Sequence, residues 1–360
     1  MPAVYQTLRH NVNLTSHGRL TFGSENAMPP TKYRLLACLK ENPGRWVSGE
    51  SISDQLGISR TAVWKQINSL KGDGHKIQSA PRKGYRLEQA ADILSAQEIA
   101  ACLTTRIMGR PSIVVFKQTD STNHQAKLLA GRGAPEGTIV LAESQTSGRG
   151  RRGRTWLSPA GEGLCLSIIL RPPLTPAQAP QITLMTAVAV SQTLADAGVQ
   201  ANIKWPNDIL VEDKKIAGIL TEISTDMDQV DWVIVGMGLN VNTPAHRMPA
   251  AIRGLATSIQ IQKGQGTSRT ELLVNLLQKF EACYQQLKVE GFGPIMEQWR
   301  RMSDIIGRQV YVDVMGTRHR GTVAAVDDDG VLVLRDTEGR FRRIFSGDVT
   351  RVRPEASGSE

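Results

Sequence analysis

Gln145-Thr146-Ser147-Gly148-Arg149-Gly150-Arg151-Arg152-Gly153-Arg154-Thr155-Trp156 is the stretch on which the reading of this chain turns. Between Gly148 and Arg154, three glycines are interspersed with four arginines. Glycine lets backbone approach a ligand closely and lets a loop change shape. Arginine adds delocalised positive charge and forked donors that match phosphate. Such a loop is expected to be mobile when empty and to close over an anion. It is not a Walker A loop, because no Gly-Lys-Ser/Thr follows four spacer residues and no strand–loop–helix frame fits. A disordered Arg-Gly tail that binds RNA is the alternative. The loop's place inside a folded stretch, running straight into a strand, argues against it.

Outward from the loop, strands and helices alternate from Ser95 to Met302. Ile113–Phe116, Thr138–Ser144, Leu164–Leu170, Ile203–Trp205, Ile216–Ile223 and Trp232–Leu239 read as strands, and 123–131, 181–198 and 269–290 as helices. Several connections are short, so antiparallel pairing and a mixed α+β sheet are expected rather than a doubly wound fold. Three further segments stand out. Lys204-Trp205-Pro206-Asn207-Asp208 reads as a strand ending in a tight turn, with the next strand beginning at Lys215. Asp120-Ser121-Thr122-Asn123 is a polar cluster between a strand and a helix, which an ordinary helix cap also explains. Gly236-Met237-Gly238-Leu239-Asn240 suggests close backbone approach. Each is weak evidence by itself.

The net charge of +9 is concentrated near the front. Residues 32–87 carry 11 basic and 4 acidic side chains, whereas residues 305–360 balance at 9 and 9. A small segment so charged can neutralise phosphates. Within it, Leu35, Leu36 and Leu39 lie at helical spacing, and a second helix opens at Ser48 and ends at Gly57. Ser59 caps a third helix over 60–70, whose stripe is Val63, Ile67 and Leu70. Ser59, Arg60, Thr61, Trp64 and Lys65 are left to face DNA, with Trp64 alternatively packing on the wing. Ile77 to Leu87 reads as that wing, so the unit over 31–90 is a winged helix-turn-helix. A three-helix module that binds protein is the competing reading.

Residues 1–30 are polar and aperiodic and are expected to form a disordered extension, with Met28 a candidate translation start. Residues 305–354 hold short β segments, Gln309–Val314, Arg318–Asp327, Val331–Arg335 and Phe341–Ser346, with Asp328-Asp329-Gly330 as a hairpin turn. They should make a small barrel. No apolar run reaches the roughly 18 residues a membrane span needs, and polar residues interrupt every apolar stretch up to Met28, so secretion is not expected. The four scattered cysteines form no CxxC pair, which fits buried thiols and a cytoplasmic address.

In this order, the Gly148–Arg154 run, Lys204–Asp208, Ser121-Thr122-Asn123 and Gly238-Leu239-Asn240 resemble the biotin–protein ligases. With a winged helix in front, the chain looks like the bifunctional bacterial form that also represses the biotin operon. The resemblance covers roughly residues 32–354. It implies a catalytic sheet domain of the class II synthetase-like type over 95–304 and an SH3-like C-terminal barrel. It implies synthesis of biotinyl-5′-AMP from biotin and ATP with Mg²⁺, then transfer of biotin to a lysine of biotin carboxyl carrier protein. It further implies a homodimer that forms on adenylate binding and sits on operator DNA, the adenylate being corepressor.

By the same resemblance, Ser121, Thr122, Asn123, Gln145, Arg149, Gly150, Arg151 and Lys215 hold biotin. Arg151, Arg154, Trp156, Lys204, Asn207 and Asn240 serve the adenylate or ATP, Trp156 by stacking on adenine. Lys215, Arg149 and Asp208 are the catalytic set, with Asp208 a magnesium ligand. The attacking groups are biotin's carboxylate and then the acceptor lysine, so no Ser-His-Asp or Cys-His arrangement is expected. Lipoyl or octanoyl transferases share the fold but are expected to lack the Gly/Arg run. A regulator without enzymatic activity would have lost Lys215 or the arginines.

Overall fold

The protein is described from a computed structural model, which covers residues 12–14, 20–22, 30–226 and 229–351. Within 1–30, β1 (Val12–Leu14) and β2 (Leu20–Phe22) pair as antiparallel strands where no fold was expected, and alternating apolar positions there suit such a pair. The rest of that extension, and the candidate start at Met28, lie outside the described residues.

The basic unit is α1 (Thr31–Lys40), α2 (Gly49–Leu56), α3 (Arg60–Gly72), β3 (Lys76–Ala80) and β4 (Gly84–Gln89). Local chemistry sets its boundaries. Ser48 Oγ accepts the Ser51 N–H at 3.0 Å and Ser59 Oγ accepts the Ala62 N–H at 3.2 Å, each satisfying a helix-start donor. Gly57, at φ +67°, ends α2 in the left-handed region. Val47 joins the β3–β4 hairpin by two 2.8 Å backbone bonds to Tyr85. A Cβ on Gly84 would lie 2.1 Å from the Val47 oxygen, so glycine is required there. Leu35, Leu39, Ile52, Val63, Ile67 and Leu70 close one core.

After α4 (Ala96–Cys102) come β5 (Ile113–Phe116), α5 (Thr122–Ala130), β6 (Ile139–Ala142), β7 (Gly163–Leu170), α6 (Pro180–Asp196), β8 (Asn202–Lys204), β9 (Asp208–Val211), β10 (Lys214–Asp226) and β11 (Gln229–Asn240). Then follow α7 (Ile259–Lys263), α8 (Arg269–Glu290) and α9 (Gly293–Arg301). The strands make one seven-stranded sheet in the order β5-β6-β7-β11-β10-β9-β8, with β5 and β6 parallel and the other neighbours antiparallel. It is the expected mixed α+β sheet. Strand β9 is a correction. The turn residues Pro206-Asn207-Asp208 hide a four-residue strand, and β10 begins at Lys214 to pair with it. Helices α4, α7 and α9 are likewise absent from the reading of the sequence; α4 and α7 span only 7 and 5 residues.

Residues alternate across the strands. On β7 and β11, Leu164, Leu166, Ile168, Val233, Val235 and Met237 face α6 and α8 and join the main core with Phe280, Tyr284 and Trp299. The opposite face is partly covered by α5, where Ala126 and Leu129 meet Val140, Ile169 and Ile234.

The last unit is β12 (Gln309–Val314), β13 (Thr317–Val326), β14 (Leu332–Asp336), β15 (Phe341–Ile344) and β16 (Asp348–Arg351), an antiparallel sheet in the order β15-β14-β13-β12-β16. Strand β16, too short and polar to stand out, replaces part of the expected loop. The sheet is strongly curled, as topology demands. A flat sheet would put the two edge strands roughly 19 Å apart. The three residues joining Ile344 to Asp348 span at most about 14 Å. Gly330, at φ +81°, makes the expected hairpin turn, and its carbonyl accepts the Trp205 Nε1–H at 3.0 Å. Val310, Val323 and Leu332 belong to the main core.

Arg269 ties the segment after the winged helix to the sheet. Its side chain is fully buried. Nε donates to Asp92 Oδ2 at 2.9 Å, and the terminal nitrogens donate to Glu143 Oε2 at 2.7 Å, the Asp92 carbonyl at 2.6 Å and the Gly163 carbonyl at 3.2 Å. Removing one side of such a buried pair strands the other. Arg269→Ala is therefore expected to cost about 3–5 kcal/mol of unfolding free energy. Urea denaturation checks this, and a loss below about 1 kcal/mol, the range of exposed pairs, would contradict it.

Candidate active site

The face of the sheet away from α6 and α8 has a gap beside α5. Gly218 of β10 lies directly opposite Gly238 of β11, and Ser167 of β7 lies opposite Gly236. The three glycines leave a strip of bare backbone, and neighbouring groups sit on it. A Cβ at Gly238 would come within 2.3 Å of the Trp156 ring, and one at Gly236 within 2.1 Å of Asn123 Oδ1. Between Asn123 and Trp156 opens a cavity.

One end of this cavity is polar. Ser121, Thr122 and Asn123, at the start of α5, are almost fully buried. Ser121 occupies the cap position but its side chain makes no capping bond. Gln145 does that work instead: its Oε1 accepts the Thr122 N–H at 2.8 Å, satisfying a helix-start donor, while its Nε2 donates to Ser158 Oγ at 3.1 Å. Ser167 Oγ lies 2.9 Å from Thr122 Oγ1 and 2.6 Å from Asn123 Oδ1. Asp120 stands just outside. Burial works against its charge, but bonds from Gln125, the Ser121 N–H, His124 and Thr119 outweigh that and hold its carboxyl well below the usual range.

The other end is cationic. Lys215 Nζ is 2.6 Å from Asp208 Oδ1 and 5.5 Å from the Trp156 ring centroid. The Lys215 backbone is fixed by bonds to the carbonyl of Leu255 at 2.8 Å and from the N–H of Thr257 at 2.9 Å. Lys204 pairs in register with Asp208. Burial pulls its ammonium below its ordinary value, with Asp208 opposing and Lys215 adding to the shift.

The Gly/Arg loop folds over this end as a closed turn. Trp156 N–H donates to the Gly148 carbonyl at 2.9 Å and Gly150 N–H to the Arg154 carbonyl at 2.7 Å, with Arg152 and Gly153 at positive φ between them. The loop reaches the C-terminal unit. Arg151 donates to Ser346 Oγ at 2.8 Å and to the Gly347 carbonyl at 3.3 Å, and to Asn207 Oδ1 at 3.1 Å. Arg152 donates to the Asp313 carbonyl at 2.8 Å, and Arg154 pairs with Asp348 at 2.6 Å. Burial draws the Arg151 guanidinium below its ordinary value, against the pull of Asp348.

Ten of the residues expected from the sequence line this one cavity: Ser121, Thr122, Asn123, Gln145, Arg149, Gly150, Arg151, Trp156, Asn207 and Lys215. Four others do not. Arg154 turns to Asp348. Lys204 borders a small cleft with Asp304 and Ile305. Asn240 Nδ2 donates to the Thr257 carbonyl at 3.0 Å and holds the backbone beside Lys215. Asp208 is committed to Lys215, and no cluster of three or more His, Cys, Asp or Glu able to hold a metal occurs among the described residues. Ser158, Ser167, Gly218 and Glu222 went unread in the sequence. A lone serine inside the apolar strand Leu164–Leu170 was the available signal for Ser167.

On α3, Ser59, Arg60, Thr61, Trp64 and Lys65 are exposed, opposite the buried stripe. Trp64 is 60% exposed. Arg60 pairs with Glu50 at 2.8 Å, and Ser59 spends its oxygen on the cap.

The family model described as Biotin/lipoate A/B protein ligase family matches residues 115–240, and one described as HTH domain matches residues 31–86. The chain is 40% identical over 318 residues to the bifunctional ligase/repressor BirA of Bacillus spizizenii, covering 88% of this chain and 97% of that protein. It is 35% identical over 232 residues to the biotin–[acetyl-CoA-carboxylase] ligase of Paracoccus denitrificans, covering 63% of this chain and 95% of that one. Among solved structures, the biotin protein ligase from Aquifex aeolicus in complex with biotin and ATP superposes with a TM-score of 0.58 at 28% identity, covering 67% of this chain and 99% of the other. A winged helix joined to this glycine-floored, arginine-covered sheet, together with those likenesses, places the chain in the family of bifunctional biotin ligase/repressors.

Proposed function

We propose that this protein is an ATP-dependent biotin–protein ligase that forms biotinyl-5′-AMP and transfers biotin to a lysine of biotin carboxyl carrier protein. We read it also as a repressor that binds operator DNA of biotin synthesis genes with the adenylate as corepressor. The observation that carries the reading is one cavity with a buried hydrogen-bonding end and a cationic end under a closed loop.

Biotin's carboxylate is a poor acyl donor. Attack of a carboxylate oxygen on the α-phosphorus of ATP forms a mixed anhydride and expels pyrophosphate. An uncharged lysine amine of the carrier then attacks the acyl carbon, the amine proton is lost, and AMP leaves. The first step brings two anions together, so positive charge preorganised at the phosphate lowers its barrier. In this reading Thr122, Asn123 and Gln145 hold the urea ring, with Ser121 beside them. Lys215 stands where carboxylate and α-phosphate meet, aimed by Asp208. Arg149 and Arg151 line the anhydride, and the Gly148–Trp156 turn shields it from water. Asn207 anchors Arg151, Lys204 adds charge behind Asp208, and Asn240 keeps the Lys215 backbone in place. Asp208, beside Lys215, would be the carboxylate to hold magnesium, which would neutralise charge on the ATP phosphates.

We divide the chain into units 31–90, 95–304 and 305–354, the first of which closes a core of its own while residues of the other two share one. A homodimer would present two α3 helices to an inverted repeat. No helix among the described residues is long and apolar enough to cross a membrane, and we take the site of action to be the cytoplasm.

Biotin-dependent release of pyrophosphate from ATP, followed by labelling of a carrier domain, tests the enzymatic half. Lys215→Ala is expected to slow adenylate formation about 10²–10³-fold, as for loss of one preorganised donor; an unchanged rate would remove Lys215 from the chemistry. For the DNA half, Arg60→Ala is expected to weaken operator binding about tenfold with adenylate saturating, within the 1–3 kcal/mol range of one base contact. Unchanged affinity would take Arg60 off the reading face.

A further inference from the structure

The buried end of the cavity is wired to a carboxylate outside it. Asn123 Nδ2 donates to Glu222 Oε2 at 2.7 Å and to the Leu220 carbonyl at 3.1 Å. Glu222 in turn pairs with Lys127, one turn along α5. Strand alternation puts Gly218, Leu220 and Glu222 on the cavity face of β10, so Glu222 continues the same surface beyond the lining residues.

These contacts fix a direction of hydrogen bonding. A carboxylate and a carbonyl only accept, so the amide nitrogen of Asn123 must face them. Its oxygen then faces Ser167, which must donate, and the 2.6 Å contact commits the Ser167 proton. Ser167 Oγ is left to accept. Thr122 Oγ1 lies 2.9 Å from it, nearer than the 3.2 Å to Gln145 Oε1, which already takes the Thr122 N–H at 2.8 Å. The Thr122 proton is then taken up between Ser167 Oγ and Gln145 Oε1, and either way Thr122 Oγ1 and Gln145 Oε1 keep acceptor capacity in the cavity that both residues line. A pair of acceptors selects an N–H, and the cyclic urea of biotin carries one on each side of its carbonyl.

The geometry points to Glu222, charge-balanced by Lys127, as a positioning residue that sets the polarity of the urea pocket through Asn123, Ser167 and Thr122. This rests on the ligase reading above. Among the described residues Glu222 hydrogen-bonds no lining group except Asn123, and its side chain is about a third exposed, so its replacement should leave the core intact. It governs biotin recognition rather than ATP.

The test is steady-state pyrophosphate release by the full chain, with separate KM values for biotin and ATP, and thermal unfolding alongside. Glu222→Met removes the acceptor and is expected to raise the biotin KM about tenfold, or ~1.4 kcal/mol, with the ATP KM within about twofold. Glu222→Gln keeps a carbonyl acceptor and should stay within about threefold of wild type. Ser167→Ala breaks the same chain further in, so the double variant with Glu222→Met should be no worse than Ser167→Ala alone. A biotin KM for Glu222→Met within twofold of an active wild type overturns the inference and leaves the ligase reading standing. Multiplying effects in the double variant, or equal rises in both KM values, overturn it too. A wild-type chain that releases no pyrophosphate with biotin overturns the ligase reading and this inference with it.

Discussion

Three glycines on one face of a seven-stranded sheet are the constraint on which the site depends. Gly218, Gly236 and Gly238 leave backbone exposed where any other residue would fill the space. Trp156 comes down on Gly218 and Gly238, and Asn123 on Gly236, so the loop and the start of α5 are both seated directly on the strands. The cavity between them is the room the glycines make. Its walls are rigid because the other face of the same strands is packed against α6 and α8.

On that floor, charge and polarity are separated. One end is a buried chain of amide and hydroxyl groups, and the other gathers Lys215, Lys204 and the loop arginines around Asp208 and Asp348. Charged groups at the cationic end are held by partners from several elements, which fixes their positions before a substrate arrives and reduces reorganisation during reaction. The arginines also make the C-terminal sheet part of the site, since Arg151 and Arg152 reach backbone carbonyls there. At the opposite side, Glu143 sits two residues before Gln145 and binds both Arg269 and the N–H of Leu94. The strand end that leads to Gln145 and the segment after the winged helix are thus held by one ion-pair network.

Much of this was legible in the sequence because it rests on local signals. Ser48, Gly57 and Ser59 delimit the helices of the basic unit, and the near-continuous apolar runs Leu164–Leu170 and Trp232–Leu239 give the central strands. The Gly148–Arg154 run and the Lys204–Asp208 turn marked the site, and most residues they suggested converge on one cavity. What escaped depends on distance along the chain. Strand β9 is four residues between turn signals, and β16 owes its place to pairing with β12. Nothing local reveals that Lys215 pairs with Asp208, seven residues earlier. Glu222 gave no sign, since it meets Asn123 only when β10 runs beside α5.

The central claim is that the Gly148–Trp156 turn is a lid seated on the glycine floor and tightened by the activated vitamin beneath it. Amide hydrogen exchange, resolved to Gly150 and Trp156 with and without biotin plus ATP, tests it most directly. The two N–H groups bonded to Arg154 and Gly148 should exchange more slowly than unstructured amides and slow by a further tenfold or so once the adenylate forms, equivalent to ~1.4 kcal/mol. Exchange at the rate of an unstructured chain in both conditions would contradict the account.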